Sequence, residues 1–352
     1  MVSQETVSHI LEEAVQTPSG DNSQPWRFVW SEKDQTLFLY NLPDNDNPIF
    51  NYEQRGSYIA HGALLENIRL LAGKFQLQAS IQTLPDASDT NLIARMSFTP
   101  NAFVNPLVHV IEKRHTNRKP YFKRALTARE LEALLEDKGE GITLTAEQSD
   151  SGKTQLAHAV SVAEQIMLQF KPLHDYFFHM IRWTSAQDRE QKSGLYVKTM
   201  ELLPPQVVIF KLYSFWPIAK ILNALGLSKF IGSENAKIYK QASAFILFST
   251  PDDTPESYLR LGSVLQRVWL TATQLGLSVQ PVAGVLYLNQ RLVANHLPEL
   301  SPAQQKLIAD AAQSIASIFA APTEQARMLI RVGEANPPTA YARKKIPKID
   351  IA

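Results

Sequence analysis

Apolar positions first recur with helical spacing at residues 3–16, where Val7, Ile10, Leu11, Ala14 and Val15 share one face. Thr17-Pro18-Ser19-Gly20 stops that run. Apolar segments at 28–30 and 37–40 flank a polar 31–35, which is a hairpin pattern, and 41–47 is rich in turn residues. A long apolar-faced helix is predicted over 57–77, strands over 79–83 and 92–98, and a connection over 100–106. The pattern restarts with a helix at 106–113 and a loop at 114–123. Leu126-Thr127-Ala128-Arg129-Glu130-Leu131 then reads as a capping box, with Leu126 and Leu131 as its hydrophobic staple. Further elements are a helix over 155–183, a buried strand at 244–249 and a second long apolar helix at 258–276 that ends on Gly276. Strands at 284–288 and 327–332 enclose a helix opened by Ser301-Pro302. The expected class is α+β, in two halves, 1–105 and 106–352.

The two long helices match when overlaid at an offset of 200 residues. Ser57, Tyr58, Gly62, Leu65, Leu70, Ala72 and Leu77 fall on Ser257, Tyr258, Gly262, Leu265, Leu270, Ala272 and Leu277. Helical patterning alone matches leucines by chance, whereas matched glycine and tyrosine favour duplication.

Composition narrows the function classes. The formal net charge of +1 offers no global field for a nucleic acid. With no cysteine, disulfides, thiolate metal sites and cysteine nucleophiles are excluded, so redox chemistry needs a bound cofactor. Eight scattered histidines form no metal-binding motif, and no P-loop or dinucleotide fingerprint occurs. The first residues resemble an amphipathic helix rather than a signal peptide, so a cytoplasmic location is expected. The most apolar stretch, 212–227, is interrupted by Pro217 and Lys220 and is not expected to span a membrane.

The candidate chemistry begins in Pro18-Ser19-Gly20-Asp21-Asn22-Ser23-Gln24-Pro25-Trp26, a polar loop leading into an aromatic strand. Taken alone it is either an ordinary turn or a site for a neutral polar ligand, since no nucleophile partner accompanies it. Arg114-His115-Thr116-Asn117-Arg118 has the guanidinium forks and hydroxyl that a phosphate calls for, and the tail Arg343-Lys344-Lys345 adds cations. Each run alone also fits a solvated basic segment.

Together these segments resemble the nitroreductase family. The loop resembles its Pro-Ser…Asn-x-Gln-Pro-Trp signature, and 114–118 is similar to its phosphate-binding run. Leu275-Gly276-Leu277 followed by Pro281-Val282-Ala283-Gly284 looks like its flavin-facing turn, with Ala283 in place of the usual acid. In ordinary members the arginine run precedes the loop; here it follows, and each occurs once. That order resembles the Acg-like subfamily, in which two nitroreductase-like halves are fused into one chain.

The resemblance implies a nitroreductase-like fold arranged as an intramolecular pseudo-dimer, compatible with a monomer, and one FMN between the halves. It implies a phosphate held by Arg114, Thr116 and Arg343 with help from Lys344 or Lys345, His115 lying within the same run. Arg118 would lie near the flavin N1 and C2 carbonyl and tune its potential. Pro18, Ser19, Asn22 and Gln24 would meet the ribityl chain and ring edge, with Val282, Ala283 and Gly284 on the opposite ring face. No catalytic side chain is expected, the chemistry being on the flavin N5.

The expected function is transfer of electrons to a small oxidised acceptor of nitroaromatic or quinone type, with NAD(P)H as candidate donor. The alternative is an FMN-sequestering protein with little turnover. The insertion at 171–240, rich in aromatics, reads as a lid-like element, and Gln191-Lys192-Ser193-Gly194-Leu195 echoes a turn of the subfamily. An amphipathic segment at 210–230, with Lys211, Lys220 and Lys229 spaced along it, leaves a membrane-surface or partner-binding reading open.

Overall fold

A computed structural model describes residues 2–136 and 139–352. The first half comprises α1 (Gln4–Ala14), β1 (Trp26–Ser31), β2 (Thr36–Asn41), α2 (Arg55–Lys74), β3 (Leu77–Thr83) and β4 (Leu92–Pro100). The second continues through α3 (Ala128–Glu136), β5 (Thr143–Glu147), α4 (Asp150–Gln169) and α5 (Lys171–Met180). Short β6 (Ile181–Arg182), α6 (Ser185–Gln191) and β7 (Leu195–Tyr196) lead to α7 (Pro204–Tyr213), α8 (Trp216–Ala224) and α9 (Leu227–Tyr239). The chain ends with β8 (Ala244–Ser249), α10 (Pro255–Gln274), β9 (Ser278–Pro281), α11 (Gly284–Val293), α12 (Pro302–Ile318), β10 (Ala326–Gly333) and β11 (Ile349–Ile351).

Two larger sheets, β11-β1-β2-β4-β3 and β5-β8-β10-β9, organise these elements, and β6 and β7 form a separate two-stranded pair. β8 and β10 are buried along their whole length, as expected of central strands covered on both faces. β11 lies parallel to β1, so the end of the second half completes the sheet of the first. A strand this short has no sequence signature and was not anticipated.

The halves meet where α2 packs on α10. Adding a Cβ at Gly62 would drive it into the backbone carbonyl of Leu259, and one at Gly262 would strike the carbonyl of Ile59. Position 62 therefore meets position 259 as position 262 meets position 59, a reciprocity that is the signature of a local two-fold axis. Further along, Gln266 Nε2 donates to Asn67 Oδ1 at 2.7 Å and Arg267 pairs with Glu66 at 2.9 Å. The 200-residue repeat is thus a pseudo-symmetric helix crossing, and the two glycines allow the backbones to touch.

Two expected elements differ. The helix expected over 155–183 is broken at Phe170, because Pro172 cannot donate into a continuing helix but suits the first turn of α5. The strand expected over 284–288 is the start of α11, and the extended segment of that region lies earlier, at β9. The Thr127 capping box forms as read: Glu130 N donates to Thr127 Oγ1 at 3.2 Å, and Thr127 N to Glu130 Oε2 at 2.7 Å.

Candidate anion and ring cleft between the halves

The loop after α1 turns sharply, with Asp21, Asn22 and Gln24 all at positive φ. Such conformations cost non-glycine residues about 1 to 3 kcal/mol each and persist only where surroundings fix them. Here Ser19 Oγ accepts from Gln24 N at 3.1 Å, and Gln24 Nε2 donates to Lys192 O at 2.7 Å. Asn22 Nδ2 donates to Arg343 O at 2.9 Å, and Lys345 N donates to Gln24 Oε1 at 2.8 Å. The loop is therefore clamped by the C-terminal tail and by the insertion.

Two adjoining cavities of about 290 and 90 Å³ share Pro18, Ser19, Asp21, Thr116 and Arg118 in their walls. The smaller is cationic. Arg114 is buried, its guanidinium 4.4 Å over the Trp269 ring, with Nη2 donating to Gln16 O at 2.8 Å. Its Nε and Nη1 have no protein partner among the described residues. Burial pulls its pKa down to about 9.

Lys344 extends its stem along the surface and turns its ammonium inward, to Thr17 O and Asn22 Oδ1, both at 2.8 Å. Enclosure, then the nearby charge of Arg114, push its pKa well down. Burial likewise lowers His115 to about 4, with Arg114 and Lys344 adding to the effect, and its ring lies 4.2 Å from that of Tyr341. Two enclosed cations beside orphaned donors form a site that an anion with several acceptor oxygens would complete.

Thr116 is held by a parallel bridge to Val279 of β9. Asn117 points inward instead, donating to Ser278 Oγ at 3.0 Å and Asn336 O at 2.9 Å, so it serves the scaffold while the other four residues of the run line the cavities. Arg118 stands where the two cavities meet and donates to Thr199 O at 3.2 Å.

The larger cavity is lined by both halves, with Ile59 and Ala60 of α2 facing Leu265 and Trp269 of α10. Ala283 and Gly284, at the N-terminus of α11, complete the wall, and a helix start there adds unpaired amides and positive potential.

Several expected site residues lie elsewhere. Val282 is packed in the second core, Gln24 is spent on backbone partners, and Arg343 turns its side chain to Asp188 at 3.0 Å. Lys345 engages Gln24 through its main chain. The structure brings together Pro18, Ser19, Asn22, Arg114, His115, Thr116, Arg118, Ala283, Gly284 and Lys344 around the paired cavities.

An acidic corner was not foreseen. Asp46 accepts from Asn47 N at 2.8 Å and from Ser57 Oγ at 3.0 Å, and it lines the larger cavity with Asp21. Burial, reinforced by the charge of Asp21, raises Asp46 to about 6. Below the ordinary carboxylate range both folded and unfolded forms are protonated; as pH rises through about 6 the folded state loses the advantage of holding that proton. Asp46→Asn should therefore remove a fall in stability of about 2 to 3 kcal/mol between pH 4 and pH 6.5. Melting temperatures across that range check it, and an unchanged slope in the variant would exclude the assignment.

This geometry describes an α+β protein in which α2 and α10 cross pseudo-symmetrically beside a candidate anion site. Its full-length likeness is to proteins named as Acg-type nitroreductases. It is 25% identical over 366 residues to a Mycobacterium tuberculosis protein named "Putative NAD(P)H nitroreductase acg", covering 99% of this chain and 96% of that protein. An uncharacterized M. tuberculosis protein, MT1398, is 25% identical over 303 residues, 85% of this chain; the match spans 41% of that relative's length. No family model matches the chain.

Among solved structures, a nitroreductase with bound FMN from Bacteroides fragilis aligns over 69% of this chain and 94% of its own, at 13% identity and a TM-score of 0.34. The FMN-dependent nitroreductase NfnB from Mycobacterium smegmatis, in complex with NADPH, covers 65% of this chain and 86% of its own, at 13% identity and a TM-score of 0.33. The likeness extends over nearly the whole length of both this chain and the M. tuberculosis relative.

Proposed function

We propose that the chain binds one FMN in the paired cavities and acts as a nitroreductase-like oxidoreductase. The observation that carries this reading is the buried Arg114, with two guanidinium nitrogens that lack acceptors, beside the enclosed Lys344 and opening onto a cavity lined by α2 and α10. A phosphate monoester fits the small cationic end, with Arg114, Thr116 and Lys344 as its holders; Arg343 and Lys345 support from outside by clamping the loop. When bound, FMN supplies two-electron exchange between a reduced nicotinamide and a small oxidised acceptor of nitroaromatic or quinone type.

The protein's own groups bind and orient. Ile59, Leu265 and Trp269 furnish an apolar floor, while Arg118 places a fixed cation at the junction of the cavities, where it favours negative charge on the ring. Arg118→Ala should lower the potential of the bound flavin. A potentiometric titration that gives the same midpoint for variant and parent would remove that role.

The sequestering alternative has its own support: Leu195 and Thr199 of the insertion wall the small cavity, and Lys192 and Thr199 anchor Gln24 and Arg118. Anaerobic mixing with NADH and with NADPH separates the two. Loss of the flavin absorbance near about 450 nm is the expected result. A yellow colour that persists with both donors would favour storage.

A further inference from the structure

We propose that the α7–α9 face of the insertion docks on the surface of a lipid bilayer containing anionic phospholipid. Eight of the fifteen large apolar side chains that stand exposed among the described residues fall within residues 203–230. Six of them, Leu203, Val208, Phe215, Ile221, Leu225 and Phe230, are 56% to 79% exposed. Scattered apolar residues are ordinary on a protein surface, but a concentration of this kind marks a face that is covered by something.

The charge around the face selects the occupant. Lys211, Lys220 and Lys229 are exposed among these residues, and no acidic residue occurs between Glu201 and Glu234. The whole chain has 34 acids in 352 residues, about one in ten, so a stretch of this length would ordinarily hold about three. Large apolar side chains with lysines and no acid suit an interface that is greasy beneath and negative at its rim. A second copy fits poorly, since a symmetric contact would set the same lysines against each other without a countercharge.

The helices are built to lie on a bilayer rather than cross it. α7 and α8 are bent by 108° at their junction, and no single helix among the described residues is long and apolar enough to span. At 1.5 Å per residue each reaches about half of a ~30 Å hydrocarbon core. Their inner sides are already engaged: Tyr213 and Ala219 are buried in a small core with Phe177 and Phe178 of α5. Only the outer side is available, and α7 packs on α8 and α8 on α9, which holds the three helices together.

The inference does not depend on what the cavity binds, so flotation of the full-length chain with vesicles tests it separately. The chain should float with vesicles of phosphatidylcholine mixed with phosphatidylglycerol and remain behind with pure phosphatidylcholine. Reversing Lys211, Lys220 and Lys229 to Glu should weaken partitioning by about fivefold or more per site. The triple variant Phe215→Ser, Leu225→Ser, Phe230→Ser alters only exposed side chains and should abolish flotation while keeping the parent's circular dichroism and melting temperature. Absence of binding to the anionic vesicles, or undiminished binding by the serine variant, would overturn the proposal. So would a concentration-dependent dimer that the serine variant makes monomeric, in a chain that binds no vesicles.

Discussion

Gly262→Ala is expected to cost about 3 kcal/mol or more of stability, although alanine is the better helix former by about 1 kcal/mol. The added methyl would fall on the carbonyl of Ile59, which belongs to a helix backbone and cannot rotate away. Relief requires α10 to move off α2, opening the floor of the larger cavity where Ile59 and Leu265 meet. Gly62→Ala meets the same obstacle at Leu259 and should be similarly severe. Gly232→Ala is the control. Its Cβ would find its nearest neighbour, Ser161 O, at 3.5 Å, which is ordinary contact, so propensity should make that variant neutral or slightly stabilising. Urea midpoints for the three variants decide the matter. If Gly62→Ala and Gly262→Ala behaved like Gly232→Ala, the close helix crossing would be wrong, and with it the pseudo-dimer's seam.

Arg114→Ala should produce the second large effect, in ligand affinity rather than in the stability of the ligand-free protein. Removing the guanidinium takes away charge-assisted bonds worth about 1.5 to 3 kcal/mol, so affinity for FMN should drop by about ten- to a hundredfold. The ligand-free protein should not lose comparable stability, because an enclosed cation beside Lys344 with two orphaned donors is a burden until an anion arrives. Arg114→Lys keeps the charge without the fork and should fall between. A purely structural arginine would give the reverse: a less stable ligand-free protein and little change in affinity once folded. Calorimetric melting without ligand, paired with FMN titration, distinguishes the two.

Much of this architecture was legible in the chain because its signals are local. Gly62 and Gly262 stood out at a fixed offset, and their meaning, a backbone contact between halves, needed only the fold to be seen. The loop at 18–24 and the run at 114–118 were visible as motifs, and the structure sets both against the paired cavities. What escaped was decided by packing. Gly284 to Leu288 is a short apolar run that fits strand or helix equally; burial of Val285, Leu286, Leu288 and Asn289 along one side makes it a helix. Asp46 sits in a stretch of turn residues, and nothing local tells that its carboxyl is buried beside Asp21. Gln24 and Arg343 look like ligand groups by composition, yet their polar ends meet Lys192, Asp188 and the tail, contacts between residues more than 150 apart in sequence.

The proposed site holds one FMN in a cleft that two halves of one chain build together. Its most direct test is the stoichiometry of FMN binding by equilibrium dialysis or fluorescence quenching, with the chain's mass in solution measured on the same sample. The expected result is one FMN for each chain, whether or not chains associate, with binding weakened about ten- to a hundredfold in Arg114→Ala. No binding by the folded chain, or two FMN for each chain, would contradict it.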